Sequence, residues 1–177
     1  MESFVALLRG INVGGRTSIP MAELRALAAE IGLADVRTYI QSGNLFFTTD
    51  RQEGLEEKLE AAIAQRFLKV PVIVRSAKNW PFYIASNPFP GAAETEPNRL
   101  MMMLSKAAPE ADAVAGLGER ARAGERIELA GGALWIHYPE GAGTTKLSPS
   151  LIDRLVGSPA TARNWRTVLK IGEMLSA

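Results

Sequence analysis

The order in which short apolar runs and helix-period segments follow one another between Phe4 and Ala77 constrains this chain more than any single motif. "FVALLR" (Phe4 to Arg9) is an apolar run stopped by glycine, which reads as a buried strand. A loop follows, and then "IPMAELRALAAEIG", with Pro20 near the first helical position and Gly32 just past the last. Its Met21, Leu24, Leu27, Ala28 and Ile31 recur at helical spacing and give one buried face. "VRTYIQSGNLFFTT" sets Gly43-Asn44 between two strand-like runs, predicting a two-residue hairpin turn with glycine at the central position that needs a positive φ. "EGLEEKLEAAIAQRFL" reads as a charged amphipathic helix and "VPVIVRSA" as a further strand. The order β-α-β-β-α-β is that of the split β-α-β, or ferredoxin-like, arrangement, and the fold class is α+β.

The remainder partly repeats this plan. "AKNWPFYIASNPFPG" reads as a short helix entering a Pro-rich connection, so the expected organisation is a ferredoxin-like half over 1–88, a connection over 89–97 and a second α+β half over 98–177. In the second half "RLMMMLS" is a strand, Pro109 to Arg122 a helix, and "RIELAGGALWIHY" a hairpin turning at Gly131-Gly132. Two helices, roughly Ser148 to Val156 and Thr161 to Leu175, finish the chain. The last is expected to be capped by Thr161, to carry Arg163 and Asn164 in its first turns, and to bury Trp165, Val168, Leu169, Gly172 and Leu175. Element order is then β-α-β-β-α-α, a copy lacking its final strand.

Composition removes several kinds of chemistry. Of 177 residues, 47% are hydrophobic and 22% charged, the balance of a globular chain with a core. There is no cysteine, which excludes disulfides, thiolate zinc sites and cysteine nucleophiles. The single histidine, His137, excludes a two-histidine metal motif, so neither metal nor cofactor is expected. No apolar stretch approaches the roughly 20 residues of a spanning helix, and "MESFVALLRG" lacks a signal peptide's basic start, so no membrane partner and a cytoplasmic location are expected. Net charge is +1, with the positive excess in residues 141–177, where five basic side chains meet two acidic ones.

In the split arrangement the first two strands run parallel, so their C-terminal ends share one rim. Arg9, Asn12, Gly14, Gly15 and Arg16 of the first loop then face Gln41, Ser42 and Asn44 of the hairpin. These are donors, amides and backbone without a carboxylate, which suits an anionic ligand better than acid-base catalysis. The loop matches neither the P-loop pattern nor G-x-G-x-x-G, although its glycines leave amides accessible ahead of a helix N-terminus. In the competing structural reading, the glycines only supply positive φ while Arg9 and Asn12 bond the loop's own carbonyls. The functional reading is binding of a phosphate-bearing small molecule or nucleotide at this rim, joined by Lys146, Arg163 and Asn164. One rival is an enzyme using the same rim, with Lys146 or His137 assisting proton transfer, though no general base is evident. Another is a nucleic-acid module stacking bases on Phe4, Tyr39 or Phe46, against which these aromatics lack basic neighbours. The sequence sets neither a reaction nor an oligomeric state.

Taken in order, "LLRGINVGG", "IPMAELR", "YIQSGN", "VPVIVRS", "NPFP", "HYPEG", "KLS" and "TARNW" resemble the bacterial family called domain of unknown function 1697, from about Val5 to Leu175. The resemblance implies a cytoplasmic α+β protein built from ferredoxin-like halves, and no established activity. One departure stands out: Thr144 and Thr145 precede Lys146 where the family pattern carries arginine and serine, which weakens a charge-driven reading of that segment.

Overall fold

The computed structural model describes residues 1–15 and 18–177. By its internal contacts the chain forms two compact units, Met1–Trp80 with Ile171–Ala177, and Pro81–Lys170. Each holds a four-stranded antiparallel sheet, so the fold is mixed α+β.

The first unit comprises β1 (Glu2–Leu8), α1 (Met21–Glu30), β2 (Ala34–Tyr39), β3 (Asn44–Thr49), α2 (Leu55–Arg66) and β4 (Val72–Ser76), with strand order β2-β3-β1-β4. β1 is central because it is apolar on both faces. Phe4, Ala6 and Leu8 join Leu24 and Leu27 of α1 and Leu59 and Ile63 of α2 in one core, while Val5 and Leu7 between them are also buried. Phe4 stacks on Phe47 with centroids 5.8 Å apart. β1 and β2 are both antiparallel to β3 and therefore run the same way, which brings the ends of β1 and β2 and the start of β3 to one rim.

The second unit opens with most of α3 (Trp80–Ala85) and with α4 (Pro90–Thr95), so residues 89–97 carry a helix. Then come β5 (Leu100–Ser105), α5 (Ala113–Gly118), β6 (Arg126–Ala130), β7 (Ala133–His137), α6 (Pro149–Val156) and β8 (Ala160–Asn164), and α7 (Trp165–Ser176) ends the chain. Strand order is β6-β7-β5-β8, the same permutation as in the first sheet. The hairpin turns at Gly131-Gly132, whose φ of 61° and 77° supply the two left-handed positions of a two-residue turn.

Several expectations need correction. The first hairpin turns over four residues, Ile40 to Gly43, because Asn44 is already the ladder partner of Tyr39. Gly43 does need its glycine, at φ 83°, but as the last turn residue. The second half does contain its final strand: Ala160–Asn164 pairs with β5, so Thr161, Arg163 and Asn164 lie in β8 and outside the helix. Thr161 does not cap α7; the Asn164 side chain does, accepting from Thr167 N–H at 3.0 Å. The buried stripe of α7 includes Ile171, whereas Leu169 is 39% exposed. α5 spans only Ala113–Gly118, since two of its six residues are glycine and little favours extension.

Candidate functional site

Two loops meet at the rim of the first unit. Leu8 N–H donates to Gly43 O (2.9 Å) and Arg9 N–H to Pro71 O (3.1 Å), fixing where β1 ends. The next twelve-residue connection to α1 is organised by Asn12, whose backbone is left-handed at φ 55°. Its Nδ2 donates to Ile19 O (3.0 Å) and Gln41 O (2.7 Å), and its Oδ1 accepts from Ile19 N–H (2.8 Å). One side chain thus closes the loop upon itself and ties it to the hairpin. The hairpin is closed by Asn44, fully buried, whose Nδ2 donates to Tyr39 O (3.0 Å) and Ser42 Oγ (3.2 Å).

The β1 loop and the hairpin do meet at one rim, as their element order implied, but the residues divide by task. Asn12, Ser42 and Asn44 hold the loops. Gly14 and Gly15 are exposed at φ 65° and 73°, with open space where a Cβ would stand, so conformation and not close approach demands glycine there. Arg9 is half-buried and Gln41 exposed; Arg16 lies outside the described residues. The helix dipole contributes less than expected, because α1 starts at Met21, six positions after Gly15. Two aliphatic side chains stand in solvent beside these donors, Val13 at 68% and Ile40 at 47% exposure. Ile40 is β-branched at φ 51°, a conformation that costs on the order of 1–3 kcal/mol.

Lys146, Arg163 and Asn164 belong to the second unit. Lys146 is exposed in the bend before α6. Beside it Thr145 donates to Glu125 Oε1 (2.8 Å) and accepts from Leu147 N–H (3.2 Å). Burial pushes the Glu125 carboxyl up, but hydrogen bonds from Ala123 N–H, its own N–H and Thr145 outweigh this and leave it below the ordinary range. Burial, with the Glu125 charge added, raises the neighbouring Tyr138 hydroxyl well above its usual value. Arg163 is buried on β8, donating to Thr161 Oγ1 and Ala162 O (both 2.8 Å), and burial lowers its guanidinium to about 10.

His137 ends β7 directly opposite Arg126 of β6. Arg126 Nε and Nη2 lie 3.3 and 3.2 Å from Nδ1, and Glu96 Oε2 lies 2.9 Å from Nε2. Arginine only donates, so Nδ1 is the acceptor and Nε2–H the donor to Glu96. Arg99 pairs with Glu96 Oε1 (3.1 Å) and also reaches Pro139 O, while Arg126 lies over the Phe89 ring at 4.9 Å. Both imidazole nitrogens are occupied and the ring is buried, so His137 presents no free atom for proton transfer. Arg126 was readable in advance, since a turn centred on Gly131-Gly132 sets it across from His137. Glu96 was not, because nothing local connects it to β7. Phe4 and Phe46 are buried and offer no ring for base stacking.

Among the described residues no group of three or more His, Asp or Glu side chains is arranged to hold a metal ion, and no helix is long and apolar enough to cross a membrane. A cleft of about 360 Å³ opens at the sheet end opposite the rim, lined by Ala34, Thr48, Asp50, Arg51 and Lys58 among others, with Lys58 Nζ bonded to Ile31 O (2.6 Å). Residues 1–135 match the model of a family described as protein of unknown function, DUF1697. No curated protein matches the chain. Among solved structures, a conserved bacterial protein from Streptococcus pneumoniae is similar, at 28% identity and a TM-score of 0.76, over 98% of each chain.

Proposed function

The chain belongs to DUF1697, a family of unknown function, and from its geometry we propose that the protein binds a phosphate-bearing small molecule, a nucleotide in the best-fitting case, at the rim of the first unit. The supporting observation is the triple bonding of Asn12, which holds the Gly14-Gly15 arch against the hairpin before any ligand arrives. Arg9 supplies charge, the amides around Gly14 and Gly15 supply neutral donors, and Gln41 supplies a side-chain amide. Val13 and Ile40 offer aliphatic surface to a ring or sugar. The strain at Ile40 is of the kind that persists where a surface is shaped for contact. In this reading each unit is a ferredoxin-like frame, the setting is cytoplasmic, and chemistry is not required of His137 or Lys146.

The test is thermal stabilisation by inorganic phosphate, a nucleoside triphosphate, a sugar phosphate and a short oligonucleotide, on wild type and Arg9→Ala. A ligand at about a hundred times its dissociation constant adds roughly 2.7 kcal/mol, raising Tm by about 5–10 °C in a chain this size. A charge-assisted hydrogen bond of roughly 1.5–3 kcal/mol means Arg9→Ala weakens binding about tenfold to hundredfold. An equal response from a folded Arg9→Ala assigns Arg9 to structure alone. Stabilisation by the oligonucleotide alone, weakening steeply with salt, favours a nucleic-acid partner instead.

A further inference from the structure

The two sheets have four edge strands, and three are closed to pairing. On β4 the amides of Val72 and Val74 donate to Glu60 and Glu56 of α2 (both 2.8 Å), and Arg75 covers Val74 O (2.8 Å). β8 repeats the device: Ala160 N–H donates to Asp153 of α6 (3.0 Å), and Arg163 covers Ala162 O (2.8 Å). On β2 the ladder breaks between Ala34 and Arg37, with Asp35 left-handed at φ 50°. Such devices keep edges from adding further strands.

β6 has none of them. Its register with β7 is unbroken through all five residues, and the two-residue turn makes Ala130 and Ala133 a hydrogen-bonded pair. Alternation then points the amides and carbonyls of Ile127 and Leu129 away from β7. Neither residue finds a partner for these groups among the described residues, and the alternating Arg126 and Glu128 are exposed.

We propose that β6 is a self-association edge, pairing antiparallel with β6 of a second copy about a two-fold axis at Ile127. Charge complementarity selects the occupant and the register. With the axis at Ile127, the Arg126 of each copy stands opposite the Glu128 of the other, and the two Ile127 residues exchange backbone hydrogen bonds. With the axis one residue on, Glu128 would oppose Glu128, a disfavoured pair. Arg126 Nε and Nη2 are engaged by His137, which leaves Nη1 for the partner carboxylate. The contact is isologous and closes, so it forms dimers and not fibres.

Sedimentation equilibrium of the full chain over micromolar to millimolar concentration tests this, with circular dichroism confirming each variant's fold. Wild type shows a monomer–dimer equilibrium. Ile127→Pro removes an outward amide that no intramolecular bond uses, and it abolishes the dimer. Glu128→Arg sets like charges across the axis and raises the dimer Kd about tenfold or more, while Arg126→Glu added to it restores association. A wild type that stays monomeric throughout the range overturns the proposal. So does a folded Ile127→Pro that dimerises like wild type, or a dimer indifferent to Glu128→Arg.

Discussion

Gly43 shows how one residue serves two constraints. It sits at φ 83°, and a Cβ there would stand 2.8 Å from both Ile11 Cδ1 and Leu8 Cβ. Gly43→Val therefore meets backbone strain and a blocked position together; the strain alone costs about 1–3 kcal/mol. The expected fall in Tm is about 3–10 °C or more, and an unchanged melting curve would show that the turn is built otherwise. The need for glycine was legible in the sequence, but its place in the turn was not. "IQSGN" fits a two-residue turn as well as a four-residue one until the bonds from Asn44 to Tyr39 and Ser42 decide the register. Glu125 gives a pH test. Its carboxyl is held below the ordinary 4.5 in the folded chain, so it contributes stability above that value that is lost as pH falls through the folded pKa. Thr145→Val removes one hydrogen bond that favours the carboxylate, so wild type should exceed the variant in Tm at neutral pH, and the gap should shrink below about pH 4.5. A gap independent of pH would mean Thr145 acts through packing alone.

At the scale of elements, strongly periodic segments were readable and short ones were not. α1, α2 and the central strands announce themselves because burial on one or both faces dictates their apolar spacing. β8 did not, since "ATARN" has no aliphatic run and its boundary with α7 is set by a cap. Asn164 can end a strand and begin a helix because its side chain accepts from Thr167 N–H. Asn164→Ala should then cost about 1 kcal/mol, or about 2–4 °C in Tm, whereas Asn164→Asp should retain most of the cap. Equal losses in both variants would show that the amide nitrogen carries the role. The rim was legible as a meeting of loops, because parallel β1 and β2 follow from the element order. The division of work within it was not, because a sequence cannot say which amides close the loop and which face solvent.

For the whole molecule, the same strand permutation in both sheets, and the same acidic closure of β4 and β8 from the preceding helix, show one plan executed twice with different loops. The loop from Arg9 to Pro20 has no counterpart of similar composition in the second unit, where Lys106 to Asp112 join β5 to α5. That asymmetry is the reason the proposal sets its ligand in the first unit, beside "LLRGINVGG". The most direct measurement is a ¹H–¹⁵N correlation titration of the full chain with a nucleoside triphosphate, run beside Asn12→Ala. Binding at the rim moves the amide resonances of Val13, Gly14, Gly15 and Gln41 first and saturably, and Asn12→Ala, which releases the arch from the hairpin, weakens the response. Saturable shifts confined to other residues, or none with either the triphosphate or a sugar phosphate, would contradict the rim as a ligand site and leave the glycine-rich loop a corner between β1 and α1.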